Sequence, residues 1–216
     1  MVATRRQVEL LEKSKPVQAR AKRTYEAILA AAGELLVEVG VERISTNLIA
    51  ERAGITVPAL YRYFPNKYAV LNALGAVLMD RQNDAFQQWF EQYLGEEGGP
   101  QILLGNIYEL LKLTFDVVRD QTGGLEVMES LRAVGPLQEL RLASNRLVAG
   151  HLATILAEWV DRPLDELLSM QARLSIDTGY AIVEMALEDD SLDVEQTLRQ
   201  GALMIELYWR DILPNA

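Results

Sequence analysis

The chain has 216 residues, half of them hydrophobic, with one histidine and no cysteine. These totals exclude a disulfide framework, a thiolate zinc site and a cysteine nucleophile, and they leave room for a small head and a larger body. The formal net charge of −10 is unevenly spread: residues 1–70 carry 11 Lys/Arg against 7 Asp/Glu, a net of +4, and residues 71–216 carry 10 against 24, a net of −14.

Such asymmetry fits a basic head that meets a polyanion and an acidic body held away from it, although an acidic body also serves solubility. The first fifteen residues are charged and lack the apolar core of a signal peptide. The longest uncharged run, Tyr68 to Met79, is too short to span a bilayer. The expectation is a cytoplasmic protein with no membrane partner.

Residues 1–23 form a basic arm, with Arg5, Arg6, Lys13, Lys15, Arg20, Lys22 and Arg23 against Glu9 and Glu12. Such an arm either follows phosphates and a minor groove or is a solvated tail. Contact is expected for Arg20, Lys22 and Arg23, nearest the first helix. In that helix Ile28, Leu29, Ala32, Leu35, Leu36 and Val39 recur at the spacing of one buried stripe. Gly40 is placed to end it.

Two short helices follow. The first runs from Thr46 to Ala53, with Ser45 as N-cap and Gly54 as terminator. The second runs from Val57 to Tyr63, with Thr56 as N-cap and Pro58 in the first turn, where a missing N–H costs little. Leu48, Ile49 and Ala53 are expected to face the first helix. In the second short helix Leu60 and Phe64, four apart, form the buried side, which turns Pro58, Tyr61 and Arg62 outward with Val57 and Tyr63 flanking them.

Proline, tyrosine and arginine make an odd solvent face and a sensible groove face. Arg62 can pair with a guanine edge, and Thr56, Tyr61 and Tyr63 can reach phosphates. Lys67 opens the next helix at its positive end, a conflict that a bound phosphate would remove.

The segment from about Tyr25 to Leu71, with IAERAGI and then ALYRYFPNK, resembles the DNA-binding domain of TetR-type regulators. Pro58 departs from the commoner pattern there, where small residues are frequent. The resemblance implies a basic arm (1–23), a helix-turn-helix domain (24–70) and a helical body (71–216) that dimerises and often encloses an effector pocket. It also implies DNA contacts from Ser45, Thr46, Thr56, Val57, Pro58, Ala59, Tyr61, Arg62, Tyr63 and Lys67.

Beyond Pro65, Asn66 can cap a long helix from Lys67 to about Leu94, and GEEGGP (95–100) breaks the chain. Further helices are expected near 101–121, 125–133, 137–160, 164–189 and 192–213, giving an all-α protein of about nine helices. An effector pocket would draw on Trp89, Tyr93, Phe115, Met128 and Tyr180, although aromatic and Met positions at helical spacing are more often plain core.

Asp116, Asp177 and Glu184 lie in largely apolar helices. They either attract a cation or stay exposed or paired with arginines such as Arg119 and Arg173. His151 reads as a packed or interface residue. In the last two helices Gly179, Val183, Ala186, Gly201 and Ile205 suit a paired-helix dimer interface, and an ordinary bundle within one chain would look the same.

The reading is a dimeric regulator, taken as a repressor, on palindromic double-stranded operator DNA and released by a mostly apolar small molecule. The rivals are the same fold controlled by a protein partner, and an all-α enzyme. No phosphate-binding glycine loop, H-E-x-x-H or cysteine is present, so neither catalysis nor a cofactor or metal is expected.

Overall fold

A computed structural model describes residues 9–13, 16, 18–93, 99–160 and 163–213. These residues fold into helices and loops without a strand. The arm residues Arg5, Arg6 and Lys15, and most of the 95–100 break, lie outside them.

The chain divides into two compact units, Met1–Leu78 with Gln121–Arg141, and Met79–Asp120 with Leu142–Ala216. The sequence division after residue 70 put every later helix in one body. In the structure the first unit runs eight residues further and takes in Gln121–Arg141.

In the first unit, α1 (Ala19–Arg43) buries Ile28, Leu29, Ala32, Leu35 and Leu36, and its regular turns stop at Gly40, where φ is 73°. The helices α2 (Thr46–Arg52) and α3 (Val57–Leu60) follow. Then comes α4 (Lys67–Tyr93), whose first turns close the unit.

The helix α7 (Gly124–Ala133) packs against α1. A glycine at each contact point explains how. A Cβ on Gly123 would lie 2.6 Å from the Gly33 carbonyl oxygen, and one on Gly33 would lie 2.8 Å from that of Thr122. Neither backbone can yield, so this seam requires bare glycine on both sides. It holds residues 121–141 to the first unit.

In the second unit, the rest of α4 packs with α5 (Pro100–Gly105), α6 (Ile107–Arg119), α8 (Gln138–Trp159), α9 (Glu166–Glu188) and α10 (Val194–Arg210). The single helix expected over 101–121 is two. The ladder breaks at Asn106, whose carbonyl accepts from the Trp89 indole N–H at 3.0 Å. A buried tryptophan thereby finds its acceptor at a helix junction. Ten α-helices and a 3₁₀ turn at Gly135–Leu137 result among the described residues, against the nine expected.

Candidate DNA-binding surface and ligand cavity

The helix-turn-helix is built by local capping. Ser45 Oγ accepts from Leu48 N, Thr56 Oγ1 from Ala59 N and Asn66 Oδ1 from Ala69 N, each a side-chain oxygen satisfying a free amide at a helix start. Gly54, at φ 66°, makes the turn.

The helix α3 stops at Leu60, short of the expected Tyr63, and the chain tightens into a turn with Arg62 N donating to Ala59 O and Tyr63 N to Leu60 O. Leu60 and Phe64 are fully buried, and Pro58 on α3 and Tyr61 and Arg62 in the turn after it are exposed, as the spacing predicts. Tyr63 is half-buried and stacks edge-on against Tyr25, which also meets Phe64. Arg62 is exposed and meets no acidic group among the described residues. The Tyr61 hydroxyl sits 3.2 Å from Thr46 Oγ1, which ties together two of the predicted contact residues. Val57 and Ala59 are half-buried beside them.

Two expectations need correction here. Leu48 is exposed, because α2 turns Ile49 and Ala50 inward instead. Lys67 is not aimed at a phosphate: its ammonium donates to the carbonyls of Val41 (3.1 Å), Glu42 (3.3 Å) and Ile44 (3.0 Å). An ammonium has three protons, and these three acceptors use them.

Sequence reasoning missed two fixings of this surface. The arm turns back on it, with Lys13 N donating to Tyr63 O at 2.7 Å, Lys13 Nζ to Tyr61 O and Asn66 Nδ2 to Glu9 O. Arg52 of α2 forks onto Glu38 and also reaches Glu34, both on α1. That pairing holds the Glu38 carboxyl below its ordinary range. Arg20 and Arg23 are exposed and border a shallow groove with Ala53 and Ile55.

The second unit contains a partly open cavity of about 70 Å³ whose walls include Trp89, Tyr180, Ser175, Thr114, Trp209 and Gln82. Of the five residues predicted to form an effector pocket, Trp89 and Tyr180 line it. Tyr93 packs beside Trp89, and Phe115 lies in the surrounding core without reaching the cavity. Met128 is buried within the first unit and is no part of its lining, because its helix belongs to the α1 seam.

The tyrosine phenol of Tyr180 is pushed up to about 12, by burial first and by the nearby Asp177 second. Asp116 pairs with Lys112 and Arg119, and Asp177 with Arg173 and Asn145. Glu184 is buried. None of the three lines the cavity, so they do not form a cation site there.

Of the five residues offered for a dimer interface, Gly179, Val183, Ala186 and Gly201 are buried within their own unit, and Ile205 is half-buried. Val183 and Ala186 are core. A Cβ on Gly179 would lie 3.3 Å from Leu111 of α6, and one on Gly201 would lie 2.5 Å from Ile182. Ile205 packs on the same core and lines the cavity. These small residues let α6, α9 and α10 approach closely within one chain.

The outer sides of α9 and α10 carry the exposed apolar residues instead: Leu167, Met170, Leu174 and Met185, with Leu203, Met204 and Leu207. His151 is exposed on α8. No described helix is long and apolar enough to cross a membrane.

Residues 28–74 match the pattern described as "Bacterial regulatory proteins, tetR family". Over 54 residues the chain is 46% identical to tetracycline repressor protein class C of Escherichia coli, which covers 25% of each protein. The chain thus matches about a quarter of the length of that curated relative. Among solved structures, a TetR-family transcriptional regulator from Streptomyces coelicolor superposes with a TM-score of 0.62 at 21% identity, over 88% of this chain and 99% of that one. A complex of SmeT with triclosan gives 0.64 at 22% identity, over 89% and 93%. At such identities these structures speak for the fold.

Proposed function

We propose that this chain, whose residues 28–74 match the TetR-family pattern, is a transcriptional repressor that binds a palindromic operator as a homodimer and is released by a mostly apolar small molecule. The observation that carries DNA binding is the outward face of α3. Arg62 stands exposed and without an acidic partner among the described residues, in the turn that continues α3, and the opposite side of that segment is locked by Leu60 and Phe64.

A second helix of this motif enters the major groove, where arginine reads guanine O6 and N7. The hydroxyls of Thr46 and Tyr61 and the guanidinium groups of Arg20 and Arg23 supply phosphate contacts around it.

Two heads must meet half-sites about 34–36 Å apart, or a multiple of that, which requires two copies. The exposed apolar stripe on α9 and α10 is the surface we assign to that pairing, since isologous dimers bury such a patch against itself. The largely apolar cavity, lined by Phe86, Trp89, Leu111 and Ile205, supports control by a small ligand over control by a protein partner. A ligand larger than the cavity has to part the helices that wall it, and α4 is continuous from those walls to Lys67. Release follows if the ligand favours the conformation that does not bind DNA.

The test is selection of duplexes from a random pool by the full chain, followed by footprinting and sedimentation of the complex. A two-fold symmetric site occupied by two chains is expected. Recovery of no sequence preference would refute operator recognition.

A further inference from the structure

The walls of the cavity carry several polar groups, and most are already spent. The Trp89 indole donates to Asn106 O and the Trp209 indole to Ser175 Oγ at 2.8 Å. The hydroxyls of Ser175 and Thr114 donate to the carbonyls of Gln171 and Leu110.

Gln82 differs. It is 2% exposed and lines the same cavity, yet neither Oε1 nor Nε2 has a hydrogen-bond partner among the described residues. Leaving a buried amide unpaired on both sides is costly, and the cost falls on the protein until something pairs with it. No charged side chain lines the cavity, so a full charge on a ligand would enter an apolar space without a counter-ion.

We propose that this cavity binds a neutral, mostly apolar molecule bearing one hydroxyl or amide group, and that Gln82 is the residue selecting that group. Such a group both donates and accepts, as the glutamine amide requires. The apolar remainder meets the side chains of Phe86, Leu111 and Ile205. This inference rests on the proposed small-molecule reading and adds to it the ligand's chemistry and the residue that recognises it.

The test uses matched probes that differ by hydroxyl against methyl, phenol with toluene and 4-phenylphenol with 4-methylbiphenyl, titrated calorimetrically into the full chain. The two sizes bracket how far the walls can part. Wild type should bind each phenol at least about tenfold tighter than its methyl partner, the scale of a buried hydrogen bond against an unpaired one. Gln82→Met, which keeps the volume and removes the amide, should bring each ratio within about threefold while the methyl compounds still bind. Its melting temperature should not fall, because an unpaired buried group has been removed.

Equal binding of hydroxyl and methyl partners to wild type overturns the proposal whatever the variant does. So does a preference that survives Gln82→Met, or no binding by any of the four probes. Retention of a duplex selected by the protein itself is measured in parallel. A Gln82-dependent preference with unchanged DNA affinity upholds this inference and refutes release. Release by both partners equally does the reverse.

Discussion

Lys67 and Ile44 are joined by a 3.0 Å hydrogen bond from the lysine ammonium to the isoleucine carbonyl, 23 residues back along the chain. With Val41 and Glu42 accepting from the same ammonium, the first turn of α4 is pinned to the chain leaving α1. A cation is well placed against carbonyls at the end of a helix. Lysine at the wrong end of its own helix is thus explained by the end of another.

Lys67→Met keeps the aliphatic stem and removes the donors. Stability in urea should fall by about 1.5–3 kcal/mol, the range for hydrogen bonds to charged groups. The salt dependence of DNA binding should stay as in wild type. A shallower salt slope with unchanged stability would place the ammonium on a phosphate instead.

Arg62→Ala should act the other way round. The residue is exposed and packs on nothing that α3 needs, so circular dichroism and melting should be unchanged. Affinity for the selected operator should drop by about 1–3 kcal/mol, with relaxed base preference at one position per half-site. Operator binding as tight as wild type would remove Arg62 from the reading face.

The outer apolar stripe and the inner small residues separate in a sedimentation experiment. Leu174→Asp with Met204→Asp places charges on exposed positions, and we expect a folded monomer where wild type is a dimer. Gly201→Leu instead drives a side chain into Ile182 and should cost about 1–3 kcal/mol or more of stability. A dimer that survives both aspartates would move the interface elsewhere.

Tyr180 provides a pH signature. Its phenol is neutral when protonated, and in the folded protein its pKa stands at about 12 against an ordinary 10.0. The folded state therefore holds this proton more tightly. Its contribution is complete below pH 10 and is lost as pH rises from about 10 to about 12. Tyr180→Phe should lose less melting temperature than wild type across that interval. Parallel losses in the two proteins would mean that the phenol titrates normally.

The helix-turn-helix was legible in the sequence because what builds it is local. Ser45, Thr56 and Asn66 each cap the helix that begins beside them, Gly40 stops α1 where the stripe ends, and Leu60 and Phe64 are one turn apart. Periodicity and capping chemistry are readable within a few residues, so the outward face of α3 followed from them.

Tertiary structure alone decided what meets across long separations. The acceptors of Lys67 lie 23 to 26 residues away, the break at Asn106 answers to Trp89, and Gly201 is small because Ile182 of another helix passes over it. A run of small residues reads the same whether its partner helix belongs to the same chain or to a second copy, since close approach asks for the same side chains in both cases. Gln82 is the extreme instance. Nothing in its neighbours Arg81 and Asn83 distinguishes it, and its significance is a missing partner, which only the packing of α4, α6, α9 and α10 around one small cavity could reveal.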